Sequence, residues 1–331
     1  MKIKNLKLKI ILSSCLFVYL LLSPIVFSTF NFQLLTKPAS AQDFATGVNP
    51  PILQVTAEPP AKVSAPISIT NLSEENTTYG IYLRPFKASF ELNGVPNYDP
   101  ELNKEYENFF KNVQISDNDK YLTKIRLSPR ETKDLELRIQ VDSDETAEDR
   151  YFTIVFLAEE EDEEAKTSAA SAQGGIGTNV LLSIGPKLEP KGRIAKFSTS
   201  RFTIKGPIPF KLELANHNDY FVESEGTVVV RNMFGQIVSA LEFGPLNILA
   251  NSNRLVINDE EPEPALWWNE KHPIGVYKAE VRVALSEHGP LLVDEIYFFA
   301  FPLQLVIVLT TTLVVLVWLV RRARKKVSDE G

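Results

Sequence analysis

Residues that could carry out chemistry are few and widely spaced in this sequence. The three histidines, His217, His272 and His288, lie beside turn-forming residues, and none has a partner at metal-ligand spacing. The single cysteine, Cys15, falls inside an N-terminal apolar run, and no G-x-S-x-G nucleophile elbow occurs. These patterns give no catalytic, cofactor-binding or metal-binding residue. We therefore expect a protein that is not an enzyme and that needs no cofactor.

The densest cluster of charge is a run of six acids, 159–164, followed by a stretch rich in Ser, Ala and Gly that ends at Gly177. A calcium loop alternates carboxylates with a glycine at fixed spacing, and this run lacks that spacing. Gly174, Gly175 and Gly177 are not followed by the Lys-Ser/Thr of a phosphate loop. The stretch 159–177 predicts a flexible, solvated acidic loop, and cation binding by it stays open.

The most unusual surface feature is the pair Trp267 and Trp268, which lies in a proline- and acid-rich segment, 259–273. Adjacent side chains on an extended chain point to opposite sides. Three interpretations stay open: indole rings at the headgroup level of a membrane, an aromatic anchor for a partner protein, or one buried and one partly covered tryptophan. We take Trp267 and Trp268 as the candidate residues for partner or membrane contact.

Apolar runs at both ends of the chain predict export and anchoring. A lysine cluster, an apolar run and Ala39-Ser40-Ala41 predict a signal peptide over 1–41, with an uncleaved signal anchor as the alternative. Near the other end, 296–320 has no charged residue, and about 20 apolar residues cross a bilayer as a helix. The cations that follow mark the cytoplasmic side and stop transfer: Arg321, Arg322, Arg324, Lys325 and Lys326.

These ends predict a single-pass type I protein of the cell membrane. Its transmembrane helix would occupy 301–320, its basic cytoplasmic tail 321–331, and its N-terminal ectodomain would lie outside the cytoplasm. The chain has 35 Lys and Arg against 42 Asp and Glu, and cations predominate at both ends, so the part between them is strongly acidic. Such a region will not bind nucleic acid through its phosphates.

Between its two ends the sequence alternates apolar and polar residues in short runs separated by turns, which is typical of β-sandwiches. We predict a mainly β fold of two tandem immunoglobulin-like antiparallel sandwiches plus the transmembrane helix. The first sandwich would occupy 46–186, with an inserted loop and helix at about 87–119, and the second 191–300. In 65–71 and 207–216, a proline is followed by an alternating strand that ends in Asn, which suggests that the sandwiches are related.

This layout resembles the WxL-interacting cell-surface proteins of Gram-positive bacteria. The local likenesses are a strand ending in Asn, a turn before a long strand, a double glycine and two later strands, found respectively at 67–73, 128–132, 174–176, 226–230 and 275–279. The resemblance implies that the first domain associates with peptidoglycan and the second with a partner or host protein. No W-x-L sequence occurs, so the chain would be the interacting partner.

The function that follows is a membrane-anchored bacterial cell-surface protein with an adhesion or scaffold role. Its partners would be an envelope or surface protein, peptidoglycan, or both, together with the membrane through the C-terminal helix. The alternative is a chaperone-like or assembly subunit of an envelope machine that adds a partner's strand to an exposed sheet edge. The sequence leaves the identity of the partner and the oligomeric state open.

Overall fold

A computed structural model describes residues 46–159, 175–257, 266–287 and 289–328. The predicted signal peptide, 1–41, lies outside the described residues, and so does nearly all of the predicted acidic loop, 159–177. The described chain is mainly β, with nineteen strands and two helices. Phe44–Gly331 forms one compact unit that contains two β-sandwiches.

The first sandwich consists of two five-stranded sheets. Sheet 1 has the order β1-β3-β8-β5-β6, and sheet 2 has the order β2-β10-β9-β4-β7. Helix α1, Leu102–Phe110, lies in the stretch predicted as an insertion, and it buries Tyr106 and Phe109. The strands are β1 (Thr46–Asn49), β2 (Ile52–Ala57), β3 (Ala61–Asn71), β4 (Thr77–Pro85), β5 (Val113–Asp117), β6 (Lys120–Tyr121), β7 (Lys124–Leu127), β8 (Thr132–Val141), β9 (Asp149–Glu159) and β10 (Gly175–Ile184).

The second sandwich has one short sheet and one long sheet. Sheet 3 has the order β11-β13-β16, with β17 also paired to β13, and sheet 4 has the order β12-β19-β18-β14-β15. Its strands are β11 (Gly192–Ser198), β12 (Phe202–Thr203), β13 (Ile208–Asn216), β14 (Val222–Asn232), β15 (Ile237–Ile248), β16 (Asn253–Leu255), β17 (Leu266–Trp268), β18 (Gly275–Ala284) and β19 (Leu291–Ala300).

Alternation of apolar and polar residues positions these strands. In β8 the inward residues Leu135, Leu137, Ile139 and Val141 are buried, and their neighbours in the sequence face solvent or the sheet surface. Each sandwich has its own apolar core made in this way. Most pairs are antiparallel as expected, but β2 pairs with β10 and β12 with β19 in parallel. The prediction of purely antiparallel sandwiches is corrected accordingly.

Each sandwich has a buried asparagine at the end of the strand that follows the repeated proline in the sequence. The Asn71 Nδ2 donates to the backbone oxygens of Glu75, Leu127 and Ser128 at 2.7, 3.3 and 3.1 Å. In the second sandwich, Nδ2 of Asn216 likewise donates to three backbone oxygens, at 2.8, 3.0 and 3.0 Å. Each asparagine joins strands that would otherwise leave carbonyl groups buried without a donor.

A small third apolar cluster joins the two sandwiches. It contains Phe86, Tyr151 and Leu181 from the first sandwich and Phe221 from the second. Asp149 crosses this joint, because its carboxylate accepts hydrogen bonds from the Ser183 hydroxyl, the Tyr151 hydroxyl and the backbone N–H of Phe221. The Tyr151 hydroxyl in turn accepts from the backbone N–H of Ala250 at 3.0 Å. The joint is therefore both apolar and hydrogen-bonded.

Helix α2, Leu303–Ser328, follows β19 after Pro302 and continues through the basic cluster. Within the residues that the structure describes, no helix is both long enough and apolar enough to cross a membrane.

This finding corrects the predicted anchor. The transmembrane helix at 301–320, the separate basic tail at 321–331, the single-pass type I topology and the cell-membrane localisation all depended on it. The stop-transfer role of the cations is corrected with them, since cations stop transfer only beside a span. The residues concerned are Arg321, Arg322, Arg324, Lys325 and Lys326, and they lie within α2.

Candidate functional site

The edges of the four sheets are the places where another chain could pair with this one, since an edge strand leaves backbone N–H and C=O groups unpaired. Natural edges are usually short, or carry proline, lysine or a bulge. Edges of the described sheets follow this rule at β6, with two residues, at β7, with Lys124 and Arg126, and at β11, with Arg193 and Lys196. In β15, Pro245 and two register shifts against β14 interrupt the edge.

Strand β19 departs from this rule. It pairs with β18 without interruption from Leu291 to Ala300. On its other side β12 covers only Phe299 and Ala300. No other described strand pairs with Leu291–Phe298 on that side. We call Leu291–Phe298 the open edge.

The direction of the backbone groups along the open edge follows from the bonds at its covered end. The backbone N–H of Phe299 donates to Arg201 O at 2.8 Å, and that of Phe301 donates to Thr203 O at 3.0 Å. Successive residues of a strand point these groups to alternate sides. The N–H groups of Val293, Glu295 and Tyr297 therefore face away from β18. That of Glu295 donates to Asp294 Oδ1 at 2.8 Å, so an incoming strand could accept hydrogen bonds directly from Val293 and Tyr297.

Large apolar side chains stand beside these backbone groups on the outer face of sheet 4. Leu291, Val293 and Tyr297 are 60%, 56% and 61% exposed. The inward row of the same strand is held by the core, since Phe298 is buried and Leu292 and Ile296 pack against the core. The open edge is thus a rigid backbone template flanked by apolar surface that a paired strand would cover.

The apolar surface continues at the covered end of β19. Phe202 stacks on Phe299 with ring centroids 5.6 Å apart, and Phe299 stacks on Phe301 at 6.2 Å. Phe202 is 56% exposed and Phe299 is 40% exposed. These rings extend the surface past the last residue of the open edge.

Charged residues on the outer face form a ladder in the middle of sheet 4. Lys278 bridges Glu295 and Glu280, and Arg282 bridges Glu280 at 2.7 Å. The hydrogen bond to Glu295 raises the pKa of Lys278, and the hydrogen bond from Arg282 lowers the pKa of Glu280. Because these charges satisfy one another, the apolar residues of the open edge are the part of this face left for contact.

Asp294 sets a condition on any strand that pairs here. Asp294 lies opposite Val281, which is fully buried, so its carboxylate is on the inward side of the edge. An inward-pointing charge is one of the devices that prevent unwanted pairing of edges. The Asp294 Oδ1 accepts a hydrogen bond from the backbone N–H of Glu295 at 2.8 Å. A strand that takes over this N–H must offer Asp294 a cation or another donor, since a buried unpaired carboxylate is costly.

The structure places the tryptophans predicted as contacts away from the open edge, on β17 in sheet 3. Trp268 is buried, with its ring 4.8 Å from that of Tyr277 in an edge-to-face arrangement. Trp267 is half-buried, opposite Pro209. Trp268 therefore serves the core of the second sandwich, which corresponds to the third interpretation of the pair.

The alternation of the sequence predicts strands in the second sandwich but not the role of the open edge. The sequence signal that could have pointed to it is the spacing of Leu291, Val293 and Tyr297, which puts apolar residues on the outer row while Leu292, Ile296 and Phe298 form the inner row. A strand that is apolar on both sides is typical of a strand that is covered on both sides. Among the described residues, no group of three or more His, Cys, Asp or Glu side chains could hold a metal ion.

Comparison with known proteins gives no family. No family model matches the chain, and no curated protein matches it. Among solved structures, the chain is similar to the class 5 fimbriae chaperone CfaA, with 12% identity, 76% of this chain and 98% of that chain covered, and a TM-score of 0.37. It is also similar to the Pseudomonas aeruginosa CupB2 chaperone, with 10% identity, coverage of 75% and 98%, and a TM-score of 0.35.

A third similar structure is the Salmonella enterica SafA pilin in complex with the SafB chaperone, with 10% identity, 76% and 97% covered, and a TM-score of 0.36. Identities and TM-scores this low carry no argument about family or partner. The resemblance to WxL-interacting proteins stays a prediction. The main functional prediction, a membrane-anchored cell-surface adhesin or scaffold, is corrected, because no described helix supplies its anchor.

Proposed function

We propose that this chain is a non-enzymatic, protein-binding assembly subunit that pairs an extended segment of a partner protein with the open edge of β19. The observation that carries the proposal is the unprotected run Leu291–Phe298, with three exposed large apolar residues beside outward-facing backbone N–H groups. In strand addition the main-chain hydrogen bonds supply affinity, and alternate side chains supply specificity.

The rigidity of the template supports the proposal. Every residue of the open edge is already held in register by β18, so binding costs little ordering on this side of the interface. Burial of the exposed parts of Leu291, Val293 and Tyr297 by the incoming strand favours association through the hydrophobic effect. The aromatic surface at Phe202 and Phe299 extends the same contact.

The test is photocrosslinking in the source organism with the full chain. A photoreactive amino acid at Leu291 or at Tyr297 is expected to give a discrete protein adduct. Val293→Pro removes an N–H group that is not used by β18, so it is expected to abolish the adduct while the chain still folds. Val293→Thr keeps the N–H group and the β-branched shape, and it is the matched control that retains the adduct.

The contrary outcome is an adduct that persists in Val293→Pro, which would mean that the partner does not pair with this backbone. Absence of any adduct at both positions would equally oppose the proposal. Co-sedimentation with purified cell wall separately measures binding to peptidoglycan, the other predicted partner. Sedimentation that is the same in Val293→Pro and in the unmodified chain would place any wall binding outside the open edge.

A further inference from the structure

The two sandwiches differ in how the corresponding strand edge is covered. Sheets 2 and 4 have matching orders, so β10 corresponds to β19 and β2 corresponds to β12. Strand β2 covers β10 in parallel from Asn179 to Ile184, whereas β12 covers only Phe299 and Ala300 of β19. The strand that pairs with this edge is therefore shorter in the second sandwich than in the first.

Backbone hydrogen bonds at the ends of β2 and β12 align the two edges residue by residue. The N–H of Gly185 donates to Ala57 O at 2.9 Å, and the N–H of Phe301 donates to Thr203 O at 3.0 Å. These bonds align Phe301 with Gly185. Glu295–Phe298 is therefore aligned with Asn179–Leu182. In the first sandwich those four residues pair with Ile52–Val55.

The opposite sheet does not prevent a strand from lying there. In the first sandwich β1 contacts β10, and β2 pairs with β10 from Asn179 to Ile184. In the second sandwich β11 lies close to β19 in the same way. The arrangement of the first sandwich thus contains a strand at the position that corresponds to the open edge.

Resting on the proposed function, we infer that the partner segment runs parallel to β19 and continues the pairing begun by β12. Its residues opposite Ile296 and Phe298 are apolar, as Leu53 and Val55 of β2 are opposite Val180 and Leu182. Opposite Asp294 it carries a lysine or arginine. The partner chemistry is an extended segment of alternating apolar and polar residues with one cation four residues before its last apolar residue.

The cation follows from the position of Asp294. Directly opposite residues of paired strands share a face, so the residue that faces Asp294 lies on the inward side with it. Arg193 and Lys196 on β11 are exposed, and the Asp294 side chain is half-buried. A lysine from the incoming strand would pair with this carboxylate at the place where β19 and β11 come together.

The probe is a synthetic octapeptide, Thr-Val-Thr-Lys-Ile-Leu-Gln-Val, whose last four residues copy Ile52–Val55. In the parallel arrangement its first seven residues face Leu291–Tyr297, and its lysine faces Asp294. Its last residue competes for the place opposite Phe298 with Arg201, whose carbonyl accepts from the Phe299 N–H. Fluorescence anisotropy with the full chain is expected to show binding. Replacement of the lysine by glutamate in the peptide, or Val293→Pro in the protein, is expected to weaken binding at least about tenfold.

Orientation is measured by disulfide trapping in a Cys15→Ser chain that carries either Leu291→Cys or Tyr297→Cys. A peptide with a cysteine added at its N-terminus is expected to be trapped by Leu291→Cys and not by Tyr297→Cys. The reverse preference would show antiparallel pairing and would overturn the inference. The absence of an anisotropy change with the octapeptide would also overturn the inference. The proposed function is tested separately, by the photocrosslinks in cells.

Discussion

Asn216 is a single side chain on which several backbone groups depend. Its amide is buried, donates to three carbonyl oxygens and accepts a hydrogen bond from the backbone N–H of Asn218 at 2.9 Å. A buried polar group that loses its partner costs about 1–3 kcal/mol. Removal of this amide therefore affects the joined strands together.

We expect Asn216→Leu to lower the free energy of unfolding by about 2–4 kcal/mol, because several groups lose their partner while the volume stays similar. Asn71→Leu should have an effect of similar size in the first sandwich. Asn103→Ala, at an exposed position of α1, serves as the control and should change little. Denaturant unfolding followed by circular dichroism measures all three. An effect below about 0.5 kcal/mol would contradict this account.

Asp149 makes the stability of the joint depend on pH. Burial raises the pKa of this carboxyl, although hydrogen bonds from Tyr151, Phe221 and Ser183 and the charge of Lys187 oppose the rise. Burial also lowers the pKa of Lys187, whose Nζ lies 3.7 Å from the centre of the Phe221 ring. A carboxyl whose pKa is raised by folding binds its proton more tightly in the folded chain.

The contribution of Asp149 is therefore present at low pH and is lost as pH rises through its raised pKa. We expect the free energy of unfolding of Asp149→Asn to rise relative to that of the unmodified chain as pH increases from the ordinary range of an aspartate toward neutrality. Denaturant titrations of both chains at a series of pH values give this difference. A difference that is constant across the series would show that Asp149 keeps its ordinary pKa.

At the scale of the element, the two sides of β19 are not equivalent. Alternation directs the N–H of Ile296 toward β18 and that of Val293 away from it. A proline therefore has different consequences at the two positions, because only one of them takes part in the ladder.

We expect Ile296→Pro to lower the free energy of unfolding by about 3 kcal/mol or more, since it removes a ladder hydrogen bond in the sheet. Val293→Pro should cost less than about 1 kcal/mol. Thermal unfolding and hydrogen exchange of β18 amides compare the two variants. Equal destabilisation would place the N–H of Val293 in the β18 ladder and would remove the basis of the open edge.

The existence of most strands could be predicted from the sequence, because alternation is a local property. Alternation over 291–299 is an example, and β19, Leu291–Ala300, is the strand that forms there. What could not be predicted is which strands lie on either side of it. That depends on β12 beginning only at Phe202, opposite Phe299, and this long-range pairing leaves no periodic signal. For the same reason the exposed apolar row of β19 gave no indication of its role.

At the scale of the whole molecule, the joint combines the apolar cluster with hydrogen bonds between the sandwiches, among them Gln54 Nε2 to Glu223 Oε2 at 2.8 Å and the Leu255 N–H to Leu92 O at 2.8 Å. The chain between them, 185–190, packs against this joint: Pro190 is buried and Lys187 lies over Phe221. The cluster of Phe86, Tyr151 and Leu181 with Phe221 brings together residues far apart in the sequence. No local pattern encodes such a contact, so the sequence predicted two units and not their attachment.

Removal of the Tyr151 hydroxyl should loosen this attachment. Tyr151→Phe loses the hydrogen bond to Asp149 and the one from Ala250, and it keeps the ring that stacks on Phe86. We expect faster trypsin cleavage after Lys187, by several-fold, with each sandwich intact. Tyr82→Phe, at an exposed ring, is the control and should be cleaved at the unmodified rate. Unchanged cleavage of Tyr151→Phe would show that apolar packing alone holds the joint.

The open edge has a consequence for the protein when its partner is absent. An unprotected strand with exposed apolar residues is a template for aggregation as well as for recognition. The isolated chain should form light-scattering particles more readily as its concentration rises, and Val293→Pro should delay them at equal concentration. If the proline variant aggregates just as fast, the surface that causes aggregation lies elsewhere. Because the open edge promotes aggregation, the chain would need its partner at the time of its synthesis in order to stay unaggregated.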